Sequence, residues 1–262
     1  FVSTGGLIRP AGRVKLSADL IFGESERPVV AQLFGSDPAE MFDCVRYVKE
    51  LGFDGVDINM GCPDKAVCRN ACGAGLIDRP DLAQRIIAAA QHAAEYPDAD
   101  GHVRPFSVSV KTRIGGSKEI IDDWIPKVLE MQPDALTVHF RTRKEQSLVP
   151  AHWTEEVVGK TVDWVKRKFE HKTLIIGNGD VRTPVDGREK IARWNLDGVM
   201  IGRGIYGNPW LFAEEVASPQ ERLAVLLEHH KLYDELLGHV KPMHIMKKHY
   251  KAYVIGFEDC KI

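Results

Sequence analysis

Short β-rich runs alternate along the chain with amphipathic helical stretches, and this alternation restricts the fold more than any other feature. Strand-like runs lie at 28–34 (PVVAQLF), 54–59 (DGVDIN), 106–111 (FSVSVK), 135–140 (ALTVHF), 173–177 (TLIIG) and 197–201 (DGVMI). Helical patterns lie between them at 38–51, 81–95, 118–131, 154–169 and 184–194. In the first of these, Met41, Val45, Val48 and Leu51 share one helix face. Asp37 and Pro38 suit a cap and first helical position, and Gly52 follows the end. Strand–helix–strand repetition means a parallel sheet, and most strands read as apolar on both faces, as doubly covered strands are.

Nearly every strand run ends in polar residues or glycine: Gln32, Asn59, Lys111, His139, Asn178 with Gly179, and Gly202 with Arg203. An open sheet binds its ligand at one switch point fed by a few strands. Contributions from six strand ends instead fit a ring around one mouth, a (β/α)8 TIM barrel. Residues 1–3 read as the tail of a further strand. The first barrel strand is then missing, expected upstream of Phe1. Beyond residue 207 the pattern changes to helices at 219–237 and 242–255, with Leu223, Leu226, Leu227, His230 and Tyr233 on one face. The expected division is a barrel at 1–215 and a small all-helical domain at 216–262.

Composition narrows the function. With 35 Lys plus Arg against 37 Asp plus Glu, the 262-residue chain has formal charge −2, which excludes wholesale coating of nucleic acid but allows a local basic patch. Such a patch is HHK at 229–231 with KKHYKAY at 247–253, where Tyr250 and Tyr253 interleave with the lysines. No apolar run approaches the roughly 18 residues that span a bilayer. The five cysteines, Cys44, Cys62, Cys68, Cys72 and Cys260, form neither a disulfide framework nor a zinc spacing, so no structural metal is expected, and a reducing, cytoplasmic setting is favoured.

Five strand ends carry chemistry-bearing residues. The glycine turns of IIGNGDV (175–181) and DGVMIGRG (197–204) let backbone N–H groups approach an anion, and Arg203 suits a phosphate. Lys111 fits a Schiff base, a phosphate anchor or a cation beside an electron-rich ring, and His139 ends the adjacent strand run. NMGCP (59–63) presents the Cys62 thiol in a proline-locked turn, as nucleophile or general acid.

The set NMGCP, SVKTRIG, LTVHFRTR, IIGNGDV and MIGRGIYGNPWLF, in this order and with VVAQLFGSDP before it, resembles the tRNA-dihydrouridine synthases. The resemblance runs from about residue 2 to beyond residue 250. It implies an FMN-binding barrel joined to a helical domain that contacts tRNA, reducing the C5–C6 bond of selected uridines with NADPH or NADH as reductant. It further implies that Cys62 is the acid protonating uracil C5. Gln32, Lys111 and His139 would contact FMN, with Asn178, Gly179, Gly202 and Arg203 at its phosphate end. Asn59 and Arg141 would lie near the flavin and the substrate, and Arg141 or Arg143 would polarise the uracil carbonyl or hold a phosphate. A cation at Lys111 would stabilise negative charge on a reduced flavin. Reduction of a free pyrimidine and non-catalytic tRNA binding are the competing functions; the basic helical segment argues against the first, and the intact Cys62, Lys111 and His139 set against the second. Phe140 departs from the small residues common at its position in the family.

Overall fold

The computed structural model describes residues 1–97, 100–169 and 173–255. Cys260 and the end of the 216–262 segment lie outside the described residues. Seven strands, β1 (Val2–Ser3), β2 (Val30–Phe34), β3 (Gly55–Met60), β4 (Ser107–Arg113), β5 (Ala135–His139), β6 (Leu174–Asn178) and β7 (Gly198–Met200), pair in chain order, all parallel. This is the α/β architecture of a TIM-type barrel. Between β1 and β2 lie α1 (Thr4–Leu7) and α2 (Pro10–Leu16). The later connections carry α3 (Pro38–Glu50), α4 (Lys65–Arg69), α5 (Pro80–Glu95), α6 (Ile121–Leu129), α7 (Lys160–Asp163) and α8 (Pro184–Trp194). Where one helix was expected at 154–169, α7 is flanked by the π-helical turns Glu155–Gly159 and Trp164–Lys168.

Local chemistry explains the helices. Asp37 Oδ1 accepts the Ala39 and Glu40 N–H groups at 2.8 and 3.3 Å, Pro38 takes the first turn, and Gly52 has φ +91° past the end of α3. The buried faces are Met41, Cys44, Val45 and Val48 on α3, Ala83, Ile86, Ile87 and Ala90 on α5, and Ile121, Trp124, Ile125 and Val128 on α6. They pack with Ala31, Leu33, Val56, Ile58, Val108, Val110, Leu136, Val138 and Ile175 of the strands. One polar thread crosses this layer: the Trp124 indole N–H donates to Thr112 Oγ1 at 2.9 Å, and that hydroxyl donates to the Met60 carbonyl at 3.1 Å.

Most of the strands are not apolar on both faces. On β2 to β5 the helix-covered face is apolar and the alternate positions Gln32, Asp57, Asn59, Ser109, Lys111 and Thr137 are polar, because in a barrel the second face turns toward the interior and its mouth rather than toward another helix layer. On β6 that face keeps Leu174 and Ile176, with Asn178 at its end.

By compactness the chain divides into Phe1–Asp180 with Lys190–Met200, and Val181–Glu189 with Ile201–Ile262. The break thus falls near 180 and 200, whereas the sequence pattern suggested 215. Within the second unit, α9 (Pro219–Leu237) starts at a capping box of Ser218 and Glu221 and packs beside α10 (Lys247–Val254). His230 Nδ1 and the Tyr250 hydroxyl lie 2.6 Å apart, and the Tyr233 hydroxyl donates to the Pro242 carbonyl at 3.3 Å. Of the expected apolar face of α9 only Tyr233 is buried; Leu223 and Leu227 are exposed. Among the described residues no helix is long and apolar enough to cross a membrane.

The core assignment has a direct test. Ile58→Ala on fully buried β3 is expected to cost about 2–5 kcal/mol in urea unfolding. Val14→Ala on exposed α2 is expected to stay within about 0.5 kcal/mol.

Candidate active site

Register assembles the polar face. Gln32 pairs with Asp57, Asp57 with Ser109, Asn59 with Lys111, Lys111 with Thr137, Arg113 with His139, and His139 with Asn178. Directly paired residues in parallel strands point to the same side, so these side chains climb one surface in staggered steps toward the strand C-termini.

The chain leaves β3 into the Cys62 turn. Asn59 Oδ1 accepts both the Gly61 N–H (3.1 Å) and the Cys62 N–H (2.9 Å). The Arg113 guanidinium donates from Nε to the Gly61 carbonyl at 2.7 Å, and from Nη1 to the carbonyls of Thr142 and Gln146. The Cys62 carbonyl accepts the Ala74 N–H at 3.0 Å and the Cys68 thiol at 3.4 Å. Gly73, at φ +55°, must be glycine, since a Cβ there would come within 2.9 Å of the Cys62 carbonyl oxygen. The Cys62 side chain itself stays half-exposed.

Lys111 is the exception in this well-paired region. Among the described residues its ammonium makes no hydrogen bond and no ion pair. Burial pushes it down to about 8, against the opposing pull of Asp57. Asp57 is 7 % exposed, and burial raises its carboxyl. Its oxygens accept from Ser109 Oγ at 2.7 Å and Gln32 Nε2 at 2.6 Å.

His139 is held neutral. Burial, then Arg113, Lys111 and Arg141 around it, push its imidazolium down to about 3. Arg141 Nη1 lies 3.0 Å from His139 Nε2. A guanidinium can only donate, so Nε2 is the acceptor and the ring proton sits on Nδ1. Arg141 is 2 % exposed, and it also donates to the Val149 carbonyl at 2.6 Å and to Asp180 Oδ2 at 2.5 Å. It therefore stands behind His139, enclosed in protein. Phe140, the large residue in a small position, is fully buried edge-on against Trp153 with ring centroids 4.8 Å apart. The Trp153 indole N–H in turn donates to the Gly179 carbonyl at 2.7 Å.

Of the residues singled out in the sequence, Gln32, Asn59, Cys62, Lys111, His139 and Arg141 lie in one region of the first unit. Asn178 is paired beside His139, and its amide donates to the Met200 carbonyl at 2.9 Å. Gly179 follows it at φ +118°, with His139 Cδ2 only 2.9 Å from where a Cβ would stand. Arg143 sits farther out, paired with Asp78 at 2.6 Å. Gly202 and Arg203 belong to the second unit, where Arg203 opens the turn Arg203–Ile205. Sequence reasoning missed Asp57, Ser109, Arg113 and Asp180. The period-2 polarity of SVSVKTR carried the signal for two of them. Among the described residues no group of three His, Cys, Asp or Glu side chains is arranged to hold a metal ion.

The chain matches the dihydrouridine synthase (Dus) family over residues 1–261. A probable tRNA-dihydrouridine synthase of Staphylococcus aureus strain COL is 35 % identical over 261 residues, 98 % of this chain and 75 % of that protein. One from Staphylococcus epidermidis is 34 % identical over 262 residues, 98 % of this chain and 76 % of that protein. Probable tRNA-dihydrouridine synthase 2 of Bacillus subtilis strain 168 is 35 % identical over 263 residues, again 98 % of this chain and 76 % of that protein.

The cation cluster around His139 makes a measurable prediction. Its ring protons should show no titration between pH 4 and 8 by NMR. In Arg141→Met one of the repelling cations is gone, so the midpoint should move upward toward the ordinary histidine value.

Proposed function

Because the chain belongs to the dihydrouridine synthase family, we propose that it reduces the C5–C6 double bond of uridines in tRNA, with FMN as bound cofactor and NADPH or NADH as reductant. The observation that carries this reading is the braced Cys62 turn set beside an ammonium, Lys111, with no hydrogen-bond acceptor among the described residues. A half-buried ammonium in that state suits a ligand rich in acceptors.

The donor set fits a flavin. Lys111 offers a positive charge to an electron-rich ring edge, and neutral His139 offers its Nδ1–H. Gln32 retains a second amide hydrogen beyond the one given to Asp57. Gly179 allows close backbone approach beside His139. Asn178 extends this edge; within the second unit, Gly202 and Arg203 carry the glycine turn and guanidinium that the family resemblance assigns to a phosphate. When bound, FMN supplies the hydride that reduces the double bond. Cys62 then gives its thiol proton to C5, the other half of the addition. Of the residues expected near the substrate, the rim residue Arg143 is the one we assign to its polar groups; Asn59 acts through the Cys62 turn that its Oδ1 braces, and Arg141 through His139 by fixing its tautomer and orientation.

A uridine within tRNA must leave its stack to reach such a mouth. The second unit supports an RNA partner. Lys248 lies 5.5 Å over the Tyr206 ring, the Tyr206 and His249 rings are 5.6 Å apart, and His229 packs against His249 at 4.9 Å. Rings and lysines together suit stacked bases and phosphates.

The direct test is dihydrouridine formation on unmodified tRNA with FMN and NADPH, quantified by nucleoside mass spectrometry. Cys62→Ala should keep flavin absorbance and its bleaching by NADPH, and lose about 10²–10⁴-fold in product. Unchanged turnover, or turnover of free uracil in preference to tRNA, would overturn the proposal. Flavin affinity carries a pH signature. Lys111 is charged below about 8 and neutral above, so FMN binding should weaken between pH 7 and 9 by fluorescence titration. Lys111→Met should bind more weakly throughout and show no such slope.

A further inference from the structure

We propose that buried Asp57 is a positioning residue, which sets the direction of an amide relay through Gln32 and Asn59 and thereby holds the backbone of the Cys62 turn. The catalytic consequence rests on the role proposed for Cys62; the relay itself rests on hydrogen-bond chemistry alone.

An amide side chain can be inserted either way round, with nearly equal shape and opposite polarity. Something must choose. In the carboxylate form, which Ser109, Gln32 and Lys111 favour against its burial, Asp57 can only accept. Ser109 Oγ occupies one oxygen at 2.7 Å, and the other faces Gln32 Nε2 at 2.6 Å. Gln32 must therefore turn its Oε1 the other way, where it accepts from Asn59 Nδ2 at 2.8 Å. That bond orients Asn59 in turn, so its Oδ1 meets the Gly61 and Cys62 N–H groups at 3.1 and 2.9 Å. The two ends of the relay agree. One end is a group that only accepts, the other a pair of backbone groups that only donate, and the two amides between them have one consistent orientation. Asp57 and Asn59 are 7 % and 6 % exposed, so water has little room to repair a reversed link.

Lys111 is the charged neighbour that favours the carboxylate, against the burial that opposes it. The hydrogen bonds from Ser109 and Gln32 act in the same sense as Lys111. A group at this position thus serves by polarity, which separates it from a residue that only fills space.

Isosteric exchanges test the direction without changing volume. In Asn59→Asp, two acceptor-only groups flank one Gln32 amide, and one of them loses its partner. The melting temperature should fall by roughly 5 °C. Alkylation of Cys62 by iodoacetamide, followed by peptide mass spectrometry, should quicken several-fold as the turn loosens. Adding Asp57→Asn to that chain lets Gln32 flip, donating to the new carboxylate at position 59 and accepting from the new amide at position 57, with every bond satisfied again. The double variant should therefore melt above Asn59→Asp alone and return Cys62 alkylation toward the wild-type rate. If Asn59→Asp does not fold and the double variant does, the relay is equally supported. An unaffected Asn59→Asp, or a double variant no better than that single change, would overturn it. These readouts do not pass through turnover. A wild-type chain that forms no dihydrouridine would sink the proposed function and leave the relay result standing.

Discussion

Constant parity of parallel pairing from β2 to β6 is the constraint on which the rest of the structure depends. Gln32, Asp57, Ser109 and the residues paired beyond them fall on one face because each register step preserves side-chain direction. The opposite face is then free to be wholly apolar, and Ala31, Leu33, Val56, Ile58, Val110 and Val138 bury against the helices. A slip of one residue in a single strand would exchange the two sets, placing Lys111 or Asp57 among the helices and valines in the mouth. Core and site are therefore specified by one decision. The burial of the apolar face, at about 25 cal/mol per Å², is what holds an otherwise unfavourable ring of charged side chains together.

That ring gathers charges of both signs. Lys111, Arg113 and Arg141 contribute cations; Asp57 and Asp180 are carboxylates among them, and Glu145 acts on Arg113. Burial and the crowding of cations are visible in the titrations. Burial and Arg141 push Arg113 down to about 10, and His139 is driven to about 3 by burial and its cationic neighbours. The cations do different work. Arg113 spends its donors on the carbonyls of Gly61, Thr142 and Gln146, and Arg141 on His139, Asp180 and the Val149 carbonyl. Both are structural struts whose charge is a by-product. Lys111 has no such engagement among the described residues, so its charge is the one available to a ligand.

Most of the architecture was legible in the sequence, because strand positions, Asp37-Pro38 capping and the change of pattern beyond residue 207 are local signals. Parity was not read, although SVSVKTR alternates plainly. Treating the strands as apolar on both faces hid Asp57 and Arg113, which look like ordinary charged residues until pairing sets them beside Gln32 and His139. Arg141 was legible as part of a motif but not as a strut, since its partners Val149 and Asp180 lie 8 and 39 residues away. Hydrogen-bond direction was beyond sequence reading altogether. Gln and Asn look alike in either orientation until a carboxylate or a backbone N–H fixes one end.

The Cys62 turn shows why so many groups converge on two residues. Gly61 N–H and Cys62 N–H are both taken by Asn59, the Gly61 carbonyl by Arg113, and the Cys62 carbonyl by Ala74 and Cys68. All four backbone polar groups of the dipeptide are thus fixed, from β3, β4, α4 and the segment that follows it, and Pro63 restricts the chain beyond. Very little freedom remains except rotation of the Cys62 side chain itself. A proton donor benefits from that arrangement, because its reach is set in advance and the ordering entropy is met on folding rather than at each turnover. The cost is a demanding neighbourhood. Gly73 must adopt a left-handed conformation, two amides must keep one orientation, and a buried arginine must be accommodated. Those requirements are what a turn of this kind imposes on the surrounding sequence, and they explain why the residues that matter most to Cys62 are spread from Gln32 to Arg113.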